Sequence, residues 1–269
     1  MSKTIGIIIV IITIAGAGWF IFNDINKNNN ASDVIIDNIV ATSTGNVDDI
    51  QLDIVESTED NILSDDVVKV IDPNAPDLDK PIVFYNNELP EETKTLLRDK
   101  ITKIRSRLKG DTDIFSDWLS LGVNYKIAGG YEEARDAWEY ASIIRPLNST
   151  SFGNLGDLYH FYLKDFPKAE KNLRTAIENN KQSASSYTAL HELYKYSYKQ
   201  DTALVTDVLF EGLTENPNNT DLLITLAAYY KEVGNTINAK KYYEQARDEA
   251  QKLGNIQLVE LLDVELSKF

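Results

Sequence analysis

Apolar positions along this chain fall into three regimes. From Ile5 to Phe22 they are continuous and uncharged. From Asp24 to about Lys80 they shrink to short patches such as Val34-Ile35-Ile36 and Val67-Val68, each soon broken by Asp. From Leu97 onward they recur every three or four residues. The first regime is long enough to cross a bilayer's hydrocarbon core as a helix of roughly 27 Å. The second has no apolar run large enough to offset the entropy of ordering it. The third predicts amphipathic helices packed on one another, so the expected fold class is all-α.

The helical part opens with Pro90, a favourable first-turn residue, followed by Glu91 and Glu92 at the positive end of the helix dipole. Leu97, Ile101, Ile104 and Leu108 form one stripe, and Gly110 supplies a stop. The next stretch, Trp118 to Pro146, is the most informative. Trp118, Leu121, Gly122 and Tyr125 precede the turn Gly129-Gly130; Tyr131, Ala134, Trp138, Ala141 and Pro146 follow it. The small residues of each helix stand where the other is bulky, which lets two helices approach closely.

This spacing resembles the tetratricopeptide (TPR) repeat, a helix-turn-helix of about 34 residues with the signature W-x2-L-G-x2-Y, A-x3-F, P. Trp138 stands at the usual Phe position. Repeat two keeps Phe152, Leu155, Gly156 and Tyr159, then Phe166, Ala169, Leu173 and Ala176, with an extra residue at Lys164-Asp165. Repeat three is degenerate: Tyr187, Leu190 and Tyr194 hold, but His191 replaces the small residue. Its second helix aligns on Val205, Leu209, Gly212 and Pro217, after a turn lengthened around Tyr198 to Asp201. Repeat four returns to pattern with Leu223, Leu226, Ala227, Tyr230, Gly234, Ala239, Tyr243 and Ala246. The resemblance implies a TPR superhelix of about four repeats with a groove on its inner side. Ile256, Val259, Leu262, Leu266 and Phe269 read as a closing helix of the solvating kind that repeat arrays need at their ends.

The expected organisation is a transmembrane anchor (1–23), a disordered acidic linker (24–88), a basic amphipathic helix (89–110), the repeats (111–254) and a C-terminal capping helix (255–269). Lys3 before the apolar run favours a cytoplasmic N-terminus and an extracytoplasmic array. A cleaved signal peptide competes, because Ala15-Gly16-Ala17 resembles a cleavage site; against it, Trp19 to Phe22 continue the run. The linker would have a mean reach of roughly 45 Å. A small hairpin on Ile82-Val83-Phe84-Tyr85 is the alternative at its end. Lys94, Arg98, Lys100, Lys103, Arg105, Arg107 and Lys109 make the other face of the first helix basic, either as a solvated face or as a docking surface for the linker, anionic lipid or a partner.

Composition narrows the function. The net charge of -15 would repel phosphate, which argues against a nucleic-acid partner. No cysteine is present, so disulfides, thiolate metal sites and a cysteine nucleophile are excluded. His191-Glu192 begins a zincin-like H-E-x-x-H, but Lys195 stands at the second His position, so no metal site is expected. No phosphate loop, nucleophile elbow or matched acid/base pair appears. The expectation is no enzyme, no catalytic residue and no cofactor.

The resemblance assigns the groove to the first helix of each repeat. Its twelfth positions fall on Lys126, His160, Lys195 and Lys231, and its thirteenth on Ile127, Phe161, Tyr196 and Glu232. Asn154, Asp157 and Glu192 complete the candidate lining. Such a row suits a peptide with carboxylate and apolar anchors. It also suits lysines placed near helix C-termini by the dipole alone. The carboxylate clamp of TPR co-chaperones is not matched: Leu119, Val123, Ser185 and Ala189 occupy four of its five places, and only Asn154 agrees. The sequence thus predicts a membrane-tethered scaffold binding a protein or peptide partner, in assembly of a cell-envelope complex. A self-associating architectural protein and a substrate-positioning accessory of a separate envelope enzyme are the alternatives.

Overall fold

The structure is a computed structural model that describes residues 71–200 and 202–269. The expected anchor at Ile5–Phe22 and most of the expected linker lie outside the described residues. Among the described residues there are ten helices and no strand, and no helix is long and apolar enough to cross a membrane. In order they are α1 (Glu91–Gly110), α2 (Phe115–Ala128), α3 (Tyr131–Ile144), α4 (Ser149–Phe161), α5 (Phe166–Asn179), α6 (Ala184–Tyr196), α7 (Thr202–Glu215), α8 (Thr220–Glu232), α9 (Thr236–Lys252) and α10 (Ile256–Leu266).

The helices pair as α2 with α3, α4 with α5, α6 with α7 and α8 with α9, and each pair stacks on the next. This is a TPR-like helical repeat. The first helices approach one another directly, α4 with α6 and α6 with α8, whereas successive second helices do not to the same extent. The array therefore curves with its first helices on the inner side. Side-chain caps start several helices: Asn148, Asp165, Asn219, Asn235 and Asn255 each accept from a backbone N–H of the first turn, a contribution of about 1 kcal/mol apiece.

Close approach within the first pair depends on Gly122. Trp138 is buried against it, donating its indole N–H to the Leu119 carbonyl at 3.0 Å, and any Cβ at position 122 would overlap the ring. In the third pair the sizes are exchanged. His191 occupies the small position, buried, with Nδ1 2.8 Å from the Val205 carbonyl, while Gly212 on α7 receives the Tyr187 ring. The lengthened turns also differ in conformation. Gly129 and Gly234 are left-handed in pairs one and four, but Lys164 (φ 57) and Lys199 (φ 53) take that role in pairs two and three.

Two expectations change. Residues 71–88 are not part of a solvated tether. They form an extended strap over the open end of the array, with Ala75, Leu78 and Ile82 packed against the core. Asp72 accepts from the Tyr140 hydroxyl at 3.0 Å and its N–H reaches Thr112 Oγ1 at 2.8 Å; Tyr85 and Asn86 both donate their backbone N–H to the Ala128 carbonyl. No strand forms at Ile82–Tyr85. The physical reason is the first pair: Trp118, Leu121 and Tyr125 have no preceding repeat to cover them, so an extended segment does. Part of the basic side of α1 meets this strap, while Lys103 is exposed and Arg107, also exposed, pairs with Asp117 of α2. Arg105 donates to the Lys80 carbonyl at 2.6 Å, Lys109 pairs with Asp79, and Arg98 lies over the Phe84 ring at 5.1 Å.

The closing helix differs too. Leu258, Leu262 and Leu266 make the packed stripe of α10, joined to Leu223, Ala227, Tyr243 and Ala246. Ile256, Leu261, Val264 and Phe269 are exposed. The outer surface of α10 is thus more apolar than a solvating cap requires.

Candidate groove on the inner face

The inner surface is built from α2, α4, α6 and α8. Lys126, Asp157, Glu192 and Lys195 are half-buried, as are Ile127, Asn154 and Phe161, while Tyr196 and Lys231 are exposed. His160 is not a surface residue: it is buried, with Nε2 2.9 Å from Ser197 Oγ and its ring against Phe161 and Phe166. Burial also holds its pKa below the ordinary histidine value, as it does for His191.

The twelfth-position row has a geometry that the sequence does not announce. Each member reaches forward into the following repeat. Lys126 on α2 lies 2.5 Å from Asp157 on α4, and His160 meets Ser197 just past α6. Lys195 on α6 pairs with Glu232 on α8, and Lys231 on α8 lies 2.6 Å from Glu265 on α10. Aromatic rings back the ammonium groups: Lys126 is 5.3 Å from the Tyr162 centroid, Lys195 4.5 Å from Tyr196 and Lys231 5.9 Å from Phe269. Burial works against the charge of Lys195, yet its bonds to Glu232 and Tyr196 prevail and raise its pKa. These contacts bind one repeat to the next.

Glu192 is the exception among the inner charges. It is half-buried on α6, and no hydrogen bond or ion pair among the described residues engages it. Burial, followed by the like charge of Asp157, pushes its pKa up to about 7, against the pull of Lys195. The structure brings Lys126, Asp157, Glu192, Lys195 and Tyr196 into one stretch along α2, α4 and α6. Lys231 stands apart at the C-terminal end with Glu265.

Sequence reasoning missed two contributors, Tyr162, whose ring is tilted against that of Tyr131 at 4.5 Å beside Lys126, and the acid Glu265; Glu232 was counted at a thirteenth position but not as the partner of Lys195. A signal did exist for the acids. Each inner lysine has a carboxylate about one repeat length ahead, at separations of 31, 37 and 34 residues.

No protein-family model matches the chain, and no curated protein does. Among solved structures, a crystal structure of MamA is similar over 61% of this chain and 95% of its own, at 19% identity and a TM-score of 0.49. A crystal structure of YrrB, described as a TPR protein with an unusual peptide-binding site, is similar over 66% of this chain and 85% of its own, at 18% identity and a TM-score of 0.44.

Proposed function

We propose that this chain is a membrane-tethered interaction scaffold that holds a peptide or protein partner along its inner face. The observation that carries the reading is the inner face itself. Four first helices stand side by side and present half-buried and exposed groups of both kinds, Ile127, Phe161 and Tyr196 beside Asp157 and Glu192. A surface of aromatic anchors among oriented polar groups is what peptide recognition needs. The apolar run Ile5–Phe22 supports a membrane anchor with the array outside the cytoplasm, and tethering would raise the effective concentration of the array near envelope components. Assembly of a cell-envelope complex is the setting we favour.

Capture from solubilised membranes by the tagged full chain tests the reading. Partners held by the groove are lost with Phe161→Ala plus Tyr196→Ala while the protein stays folded; an unchanged set of partners refutes groove binding. Protease accessibility of the array in intact cells tests the topology. Self-association is a second reading, favoured by exposed Ile256, Leu261 and Val264 on α10. It predicts mass that rises with concentration and returns to monomer on Leu261→Glu.

A further inference from the structure

The cations of the inner face are already engaged. Lys126, Lys195 and Lys231 each lie against a carboxylate of the next repeat and over an aromatic ring. A carboxylate ligand would have to displace carboxylates that are in place. The unmatched charge has the opposite sign. Glu192 lies one helical turn before Lys195, the ordinary geometry for an ion pair. Lys195 nevertheless extends forward to Glu232. Asp157, the acid on α4, has Lys126 as its counter-ion; Glu192 feels the pull of Lys195 but forms no ion pair among the described residues.

The surroundings suit a cation with an alkyl stem. Tyr196, exposed, is one turn on from Glu192, and Phe161, half-buried, is one turn on from Asp157. The Tyr196 ring already accepts one ammonium, that of Lys195 at 4.5 Å. Leaving a half-buried carboxylate without a partner is unfavourable. A ligand cation removes that penalty and gains a charge-assisted hydrogen bond. We infer that the α4–α6 part of the groove receives a lysine or arginine side chain of the bound peptide, with Glu192 as its counter-ion and Tyr196 and Phe161 against its stem. This rests on the groove being a peptide site and adds the sign of charge that it selects.

The test uses the full chain in lipid nanodiscs and a phage library of random linear peptides in which basic and acidic residues are equally represented. Wild-type protein enriches Lys- or Arg-containing peptides, and Glu192→Gln, which keeps size and helix propensity, binds the same peptides roughly tenfold or more weakly. Replacing the basic residue of a selected peptide by norleucine brings wild-type binding down to that of Glu192→Gln without weakening the variant further. Enrichment of acidic peptides, or of basic peptides held equally well by Glu192→Gln, overturns the inference. If those peptides are still lost on Tyr196→Ala, the groove reading survives. Enrichment of no peptide above empty nanodiscs overturns both.

Discussion

The Arg105 guanidinium donates to the Tyr125 hydroxyl at 2.7 Å and to the Lys80 backbone carbonyl at 2.6 Å, so one buried side chain ties α1, α2 and the strap together. A charge this far from water is stabilised by these two hydrogen bonds and by the Tyr125 ring, whose centroid lies 5.5 Å from its guanidinium carbon. Arg105→Met keeps the apolar stem and removes the donors, which should cost about 2–3 kcal/mol. The strap should also release first. Limited proteolysis should cut within residues 71–88 of the variant under conditions that leave wild type intact. Cleavage that begins in the repeats, with the strap still protected, would contradict this role for Arg105.

Gly122 and Gly153 make a matched pair of tests. A side chain at 122 meets the Trp138 indole, whereas a Cβ at 153 on α4 meets nothing within 4 Å. Gly122→Leu should destabilise by about 1–3 kcal/mol through overpacking. Gly153→Ala should stabilise by roughly 0.5–1 kcal/mol through helix propensity alone. Denaturant titrations of the two variants should move in opposite directions; the same sign for both would mean that the packing of the first pair is misassigned.

Lys164 adopts a left-handed conformation that costs an L-residue roughly 1–2 kcal/mol. Glycine removes that strain but loses about 0.5–1 kcal/mol to its freer unfolded chain. Lys164→Gly should therefore gain about 0.5–1 kcal/mol, read as a higher melting temperature. A loss of stability would show that the Lys164 side chain contributes more than the strain it imposes.

Glu192 gives the array a pH signature. Its carboxyl titrates near 7 in the folded chain, above the ordinary glutamate value of 4.5. The folded state therefore binds more protons between those values, so the contribution of Glu192 is fully present below about 4.5 and is lost as pH rises through 7. The facing charges are Asp157 on α4, which raises the pKa, and Lys195 on α6, which lowers it. Buried His160 and His191 titrate below their usual value and act in the opposite direction as pH falls, but they are common to both proteins in the comparison. The melting temperature of Glu192→Gln relative to wild type should rise between about pH 5 and pH 8. A difference independent of pH would sink the assignment of an unpaired carboxyl at this position.

How much of this was readable beforehand follows from the range of each interaction. Helix pairing was legible because Gly122 against Trp138, and the small Ala134 and Ala141 of the second helix, stand at a fixed local spacing. The strap was not, because Leu78 and Ile82 have no period of their own and are held by Trp118, Leu121 and Arg105, partners far along the chain. The contacts that Arg98, Arg105 and Lys109 of α1 make were hidden for the same reason: the Lys80 carbonyl, Asp79 and the Phe84 ring come from a polar stretch, while Lys103 and Arg107 are exposed as on a solvated face. At the inner face the sequence placed Lys126, Lys195 and Lys231 in one row. What it could not give was their direction, since each turns forward to an acid whose distance along the chain varies with the turn lengths. His160 was placed in the row by counting alone, and the burial that removes it from the surface depends on Phe166 and Ser197 in other elements.

The strap also decides where the array is held. Among the described residues, the strap is pinned at Asp72, beside Thr112 and Tyr140, ahead of the start of α1. A pull applied at the N-terminal end of the strap would be delivered to those side chains first. The strap must peel away, past Arg105 and the Ala128 carbonyl, before the load reaches a helix. That makes residues 71–88 a mechanical fuse, which can yield under tension while the stacked repeats keep their shape.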